Sequence, residues 1–294
     1  MTSTPLSAPP APALPAAPAP TLPAVLDLLA ARPFVALTGA GTSTDSGIPD
    51  YRGPGSPART PMTYSEFVSG PLALQRYWAR SHLGWSRMRR AAPNDGHRAL
   101  AALEVRGRLR WLITQNVDGL HEAAGSRAMC ALHGRIADVV CLSCRAQTSR
   151  AVLHRRMTEL NPGWGERHAD AEVRPDGDVD LDETADFVVP GCVDCGGVLK
   201  PDVVFFGENV PKPRVERCYA AVEALDPATD ALLVLGSSLT VMSGFRFVRH
   251  ATKRGVPVVV VNRGATRADD LDIVKVEHGT TEFLTALQHR VVRA

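Results

Sequence analysis

Four cysteines stand in two pairs, Cys141-x-x-Cys144 and Cys192-x-x-Cys195. Two residues between thiolates let each pair chelate a single ion, and four sulfur donors suit a closed tetrahedral Zn²⁺ site. Such a site holds structure, because a catalytic zinc keeps one position open for water. Gly196-Gly197 after the second pair permits a tight knuckle. Cys130 and Cys218 stand alone. A second stretch with chemical potential is Gly39-Ala40-Gly41, which follows the apolar run 34–37. Glycines there let backbone amides approach a pyrophosphate, although the hydride-transfer fingerprint would put a third glycine where Thr44 stands, and the pair alone equally suits a plain tight turn. The residues that follow are Thr42-Ser43-Thr44-Asp45-Ser46-Gly47-Ile48-Pro49-Asp50-Tyr51-Arg52. A carboxylate, a phenol and a guanidinium after a proline-stiffened turn suit a lid over a bound cofactor. Two further signals have bland explanations when taken alone. Gln115-Asn116-Val117-Asp118 resembles any strand-to-helix turn, and a lone His133 between apolar stretches is ordinarily structural.

These residues need elements to position them. Short continuous apolar runs at 34–37, 111–114, 231–235, 256–261 and 273–276 each end in a polar or glycine-bearing segment. Such runs, separated by helical stretches, predict a parallel sheet covered on both faces, with ligands beyond the carboxyl ends of its strands. A helix is predicted at about 23–31, with Pro23 in an early helical position. Residues 53–95 show helical patterns at about 63–68 and 72–89 without a clear strand. Residues 141–199 carry the cysteines, an acidic run over 176–186 and little periodicity. The expected fold class is α/β: a Rossmann-like parallel-sheet domain over 24–140 and 200–294, with a smaller zinc-binding module at 141–199 and a helical insertion at 53–95. Residues 1–23, mostly Ala, Pro, Ser and Thr, predict a disordered tail.

Composition narrows the function. The 294 residues carry a net charge of +2 with no Lys/Arg-rich block, which argues against nucleic acid as a partner. No run approaches the roughly 18 apolar residues of a membrane span. The N-terminal stretch lacks the basic residues of a signal or transit peptide, so a cytoplasmic location is expected. Only four of the 33 basic residues are lysines, the weak compositional mark of a GC-rich bacterial genome.

In order along the chain, the motifs resemble those of the sirtuin family. The loop 39–52 is similar to the sirtuin NAD loop, and Thr114-Gln115-Asn116-Val117-Asp118-Gly119-Leu120-His121 to its second NAD motif. Leu132-His133-Gly134 resembles the catalytic-histidine motif, and residues 200–208 the acyl-peptide-binding segment. Gly236-Ser237-Ser238-Leu239 and Asn262-Arg263-Gly264 resemble the ribose and adenine contacts, and Thr280 joins the expected cofactor contacts. The resemblance spans roughly residues 24–290. Phe205-Phe206-Gly207-Glu208 and residues 238–247, with the 47 residues between Cys144 and Cys192, resemble the class II branch. Thr42 stands where an aliphatic residue is commoner, and Tyr51 replaces a frequent Phe.

The resemblance implies an NAD-dependent protein lysine deacylase with one structural Zn²⁺, acting on acylated-lysine proteins or peptides, and a monomer is expected. Asn116 and Asp118 would grip the nicotinamide carboxamide, Gln115 would reach the ribose, and Asp50, Tyr51 and Arg52 would close over the pocket. In the implied mechanism the acyl oxygen attacks the anomeric carbon to give an alkylamidate. His133 then serves as general base on a ribose hydroxyl, and water completes the transfer to free lysine, nicotinamide and 2′-O-acyl-ADP-ribose. Histidine suits that role because its ordinary pKa lies near neutrality. His97 and His121 are read as structural helix residues. Residues 203–207 and 238–241 would wall a cleft in which the peptide adds as a strand. Alternatives are protein mono-ADP-ribosylation, removal of lipoyl or long acyl groups, and an NAD- and zinc-binding regulator without turnover. Tyr77-x-x-Arg80 matches the pair with which desuccinylating sirtuins hold an acidic acyl group, but in this aromatic-rich segment packing is preferred, and uncharged acyl groups are expected.

Overall fold

The computed structural model describes residues 21–51, 61–168, 181 and 184–293. In chain order the elements begin with α1 (Leu22–Ala31), β1 (Phe34–Thr38), α2 (Tyr64–Phe67), α3 (Pro71–Met88), α4 (Asp95–Val105) and β2 (Leu109–Thr114). There follow α5 (Leu120–Ala123), β3 (Met129–Ala131), β4 (Gly134–Cys141), β5 (Gln147–Ser149), α6 (Arg150–Leu160) and α7 (Trp164–Arg167). The chain closes with β6 (Leu199–Val203), α8 (Lys212–Glu223), β7 (Ala231–Leu235), α9 (Met242–Lys253), β8 (Val258–Val261), β9 (Val274–Val276) and α10 (Thr280–Arg293). Of the expected tail, residues 1–20 lie outside the described residues; Thr21 precedes α1, which begins at Leu22 with Pro23 in its first turn.

Six parallel strands form the main sheet in the order β3-β2-β1-β7-β8-β9. The five expected apolar runs fall in β1, β2, β7, β8 and β9, while β3 is not among them; β1, β7 and β8 are buried along their whole length because both faces are covered. Side chains alternate between the faces with period two. Val35, Leu37, Leu232, Val234, Val258 and Val260 face one core with Cys218 and Val222 of α8 and Phe245, Phe247 and Ala251 of α9. Phe34, Ala36, Leu233, Leu235, Val259 and Val261 face the other, with Val25 and Leu29 of α1, Leu100 and Leu103 of α4, and Phe283 and Leu287 of α10.

A second, antiparallel sheet has the order β5-β4-β6. It shares one core with the helical segment: Phe67, Tyr77, Trp78, Val139, Leu153, Met157, Trp164, Phe187 and Leu199 pack together, and Cys141 and Cys192 belong to the same cluster. Arg150, fully buried in α6, stacks its guanidinium over Trp78 and Trp85 of α3 at 5.0 and 5.4 Å and donates to the Ser81 carbonyl. The helical insertion and the cysteine-bearing segment are therefore one packed unit. Most of the acidic run 176–186 lies outside the described residues; Thr184 at its end is buried. Among the described residues no helix is long and apolar enough to cross a membrane.

Candidate active site and metal centre

In the main sheet, strand order runs one way from β1 to β2 and β3, and the other way to β7, β8 and β9. The crevice of such a sheet opens at that reversal, between β1 and β7. There the loop after β1 crosses the loop after β7 backbone to backbone. Gly39 N–H donates to the Leu235 carbonyl and Gly41 N–H to the Gly236 carbonyl, both at 2.9 Å. A Cβ on Gly39 would lie 2.7 Å from the Gly236 oxygen, and one on Gly236 would lie 2.6 Å from the Gly41 carbon. Gly236 is also left-handed, at φ 58. These glycines are thus required by close approach, which the plain-turn explanation does not need. Gly236→Ala is expected to lower Tm by at least about 3 °C, as a loss of roughly 1 kcal/mol does in a chain of this size. It should weaken binding of the NAD that the motifs imply at least tenfold by pushing the loops apart. Thermal melts and titration calorimetry check both, and wild-type values in both would remove the claim.

A cleft of about 1030 Å³ starts at these loops. Of the residues expected at the cofactor, Gly39, Ala40, Gly41, Ser43, Thr44, Ile48, Pro49, Asp50, Tyr51, Gln115, Asn116, Val117, Asp118, Gly236, Ser237, Ser238, Asn262, Arg263, Gly264 and Thr280 line it, together with His133. Thr42 is turned beneath the loop, its hydroxyl donating to the Gly39 carbonyl at 2.7 Å. Arg52 lies outside the described residues.

Behind the loop is a polar cluster. Asn116 Nδ2 donates to the Gly39 carbonyl, Thr42 Oγ1 and Ser43 Oγ at 3.0–3.1 Å. Ser43 Oγ donates to Asp118 Oδ2 at 2.7 Å, while Asp118 Oδ1 accepts from Leu120 N at 2.9 Å. Asp118 therefore caps the turn before α5 and also fixes the glycine loop. His97 and His121 lie further in, their ring centroids 4.6 Å apart and their planes tilted by 58°. His97 completes a capping box with Asn94, and His121 Nε2 meets Thr38 Oγ1 at 3.0 Å. Burial holds both imidazoles below their usual pKa, so they are neutral supports.

His133 stands where the chain passes from one sheet to the other, between the end of β3 and the start of β4. Leu132 N–H donates to Thr114 of the main sheet, and the His133 carbonyl accepts from Val204 N–H just past β6. Its Nδ1 lies 3.0 Å from the Gln115 carbonyl. A carbonyl only accepts, so Nδ1 carries the proton and Nε2 presents its lone pair, accepting from Ser243 Oγ at 2.7 Å. Burial pushes the pKa down to about 4; the Gln115 contact opposes this and the Arg214 guanidinium adds to it. The imidazole is thus a neutral base with one defined tautomer. Ser243 as its partner was not foreseen; the only sequence signal is its place in the 238–247 motif.

The opposite wall is the segment after β6. Lys200, buried, pairs with Glu208 at 2.9 Å and lies 4.6 Å from the Phe205 ring centroid. Glu208 also accepts from Phe205 N at 2.9 Å, which folds the segment back on itself. Phe206, left partly exposed, meets Tyr51 edge-on at 6.4 Å across the cleft.

The four expected metal ligands converge. The sulfurs of Cys141, Cys144, Cys192 and Cys195 all lie within 4.8 Å of one another, with 3.6 Å between Cys141 and Cys195 and 3.8 Å between Cys144 and Cys192. Tetrahedral zinc with Zn–S of about 2.3 Å sets sulfurs about 3.8 Å apart. The donor set and spacing fit Zn²⁺, with no position left over for water. Each pair forms a knuckle whose next residue is left-handed, Arg145 at φ 65 and Gly196 at φ 70.

The Sir2 family model matches residues 39–243. The chain is 53% identical over 263 residues to NAD-dependent protein deacetylase 1 of Mycobacterium avium, covering 88% of this chain and 92% of that protein. It is 53% identical over 271 residues to NAD-dependent protein deacetylase 1 of Streptomyces coelicolor, covering 91% and 89%. Among solved structures, a Sir2–p53 peptide–NAD⁺ complex superposes with a TM-score of 0.71 at 30% identity, covering 92% of this chain and 98% of that one.

Proposed function

The chain belongs to the Sir2 family, and from that premise we propose that His133 is the base of an NAD-dependent protein lysine deacetylase whose cleft takes NAD on one side and an acyl-lysine peptide on the other. The enzyme class is that of its relatives, and the zinc is structural. The observation that carries the assignment of His133 is its pair of contacts: Nδ1–H on the Gln115 carbonyl and an unprotonated Nε2 accepting from Ser243 Oγ at the wall of the cleft.

NAD supplies an activated ribose whose bond to nicotinamide breaks as the acyl oxygen takes its place. Asn116 and Asp118, held by Ser43 and the glycine loop, orient the departing carboxamide. Gln115, whose Oε1 accepts from Ser237 Oγ at 2.7 Å, would reach the ribose. Nε2 of His133 then takes a proton from a ribose hydroxyl, with Ser243 as the group it releases to do so. Residues 203–207 and 238–241 receive the peptide backbone as an added strand. On residues 205–208 and 238–247 and the long spacing between cysteine pairs, we place the chain in the class II branch. We also assign residues 24–140 and 200–294 to NAD and 141–199, with the helical 53–95, to the zinc module, in a cytoplasmic monomer without nucleic-acid or membrane partners.

Acyl choice follows from Tyr77. Its ring is packed 5.1–5.2 Å from those of Phe67, Trp78 and Phe205, and among the described residues neither Tyr77 nor Arg80 lines the cleft. The test is kcat/KM for acetyl- and succinyl-lysine versions of one peptide with NAD, followed by mass. Acetyl should be favoured at least tenfold, and Arg80→Met should leave the ratio within about twofold. Succinyl preferred tenfold, with the preference lost in the variant, would refute the uncharged-acyl assignment. No turnover of any acyl peptide would refute the deacylase itself.

A further inference from the structure

The metal centre leaves two cysteines over, and the fold brings them together. Cys130 lies in β3 and Cys218 in α8, with 87 residues between them. Both are buried in the same core, at 3% and 0% exposure. β3 and α8 pack against each other, and Cys130 Sγ lies 3.8 Å from the carbonyl of Arg214, one helical turn before Cys218. The two thiols are not equivalent. The Cys218 hydrogen bond lowers the Cys130 pKa, with help from the Arg217 and Arg214 guanidinium groups against burial. Cys218 is raised by the same contact and by its deeper burial. One thiol is thus prone to ionise beside arginines while its neighbour keeps a proton, the arrangement of an attacking and a resolving cysteine.

We propose that Cys130 and Cys218 form a redox pair, joined by a hydroperoxide into a disulfide that slows the enzyme by displacing the backbone beside His133. The Cys130 thiolate attacks a hydroperoxide oxygen: an S–O bond forms, the O–O bond breaks, and an alcohol or water leaves with a proton. Cys218 then attacks the sulfenic sulfur: an S–S bond forms, the S–O bond breaks, and water leaves with the Cys218 proton. Two electrons pass from the thiols to the peroxide. The link to His133 is short. Cys130 is three residues before it along the chain. Arg214, in the first turn of the same helix as Cys218, pairs with Asp202 of β6, and its Nη1 lies 2.9 Å from where a Cβ of Gly134 would be. An S–S bond of about 2.05 Å is much shorter than any contact between two thiols, so closing it draws α8 against β3. Shifts of about 1 Å in such positions cost on the order of a hundredfold in rate.

The experiment treats the zinc-loaded full chain with graded hydrogen peroxide, maps peptides without reduction, and follows released zinc with a chromophoric chelator. A Cys130–Cys218 peptide, lighter than its halves by two hydrogens, should accumulate while zinc stays bound. With it kcat/KM should fall at least tenfold and recover with a thiol reductant. Cys218→Ala should keep the reduced activity, lose the reversible inhibition, and carry a dimedone-trappable sulfenic acid at Cys130. The linked peptide is read by mass whether or not the chain deacetylates, and in wild type whether or not the variant folds. Absence of that peptide before zinc leaves, or its presence with unchanged activity, overturns the proposal.

Discussion

Replacing His133 by alanine should reduce deacetylation by at least about a thousandfold, within the range that a general base contributes, while exchange of labelled nicotinamide into NAD persists. The split follows from where Nε2 acts: loss of nicotinamide requires only the acyl oxygen and the ribose, and the proton is taken afterwards. The pH profile adds a second readout. With its pKa pushed down to about 4 by burial, His133 is already neutral well below the usual histidine range. The acid limb of kcat/KM should therefore fall near 4 and not near 6.5. The sign for stability runs the same way. Between about 4 and 6.5 the unfolded chain takes up a proton at this histidine that the fold refuses, so its contribution to stability is lost as pH drops through that window. Deacetylation by His133→Ala within tenfold of wild type would end the assignment.

Changing Cys192 to serine should take zinc from about one per chain to almost none and lower Tm by more than about 10 °C. Structural zinc in small modules is worth on the order of 10–16 kcal/mol, comparable with the whole stability of a typical domain. Here the ion's ligands are also core residues: Cys141 and Cys192 pack among Val139, Leu153, Met157 and Leu199. The thiolate set is thus part of the hydrophobic assembly on which α3, α6 and the small sheet meet. Metal analysis and melts followed by circular dichroism read the two effects together. Fully active, folded protein without zinc would remove the structural role.

Much of this was legible from residue order. The main sheet announced itself because strands buried on both faces are uninterrupted apolar runs, and the cysteine spacing states its own chemistry. The small sheet did not. In β4, buried Gly134, Ile136, Val139, Val140 and Cys141 are split by a bulge between Arg135 and Val139, which breaks the period-two signal. In α6 the buried positions are Arg150, Leu153 and Met157. One of three is an arginine stacked on tryptophans, so a search for apolar periodicity finds too little. The glycine loop was readable only as a possibility, since the close approach that requires Gly39, Gly41 and Gly236 joins segments almost 200 residues apart. The Ser243–His133 contact spans 110 positions and leaves no local trace.

The antiparallel pairing of β4 with β6 fixes Gly134 opposite Val203 and Cys141 opposite Leu199. Seen as architecture, the chain leaves and rejoins the small sheet at one clamped end, while His133 stands beside the other. An exposed connection at the clamped end can grow at little cost: each doubling of a flexible loop costs only about 0.6 kcal/mol in closure entropy. Residues added in such a connection, away from the packed core and the four cysteines, should therefore leave the geometry around His133 as it is.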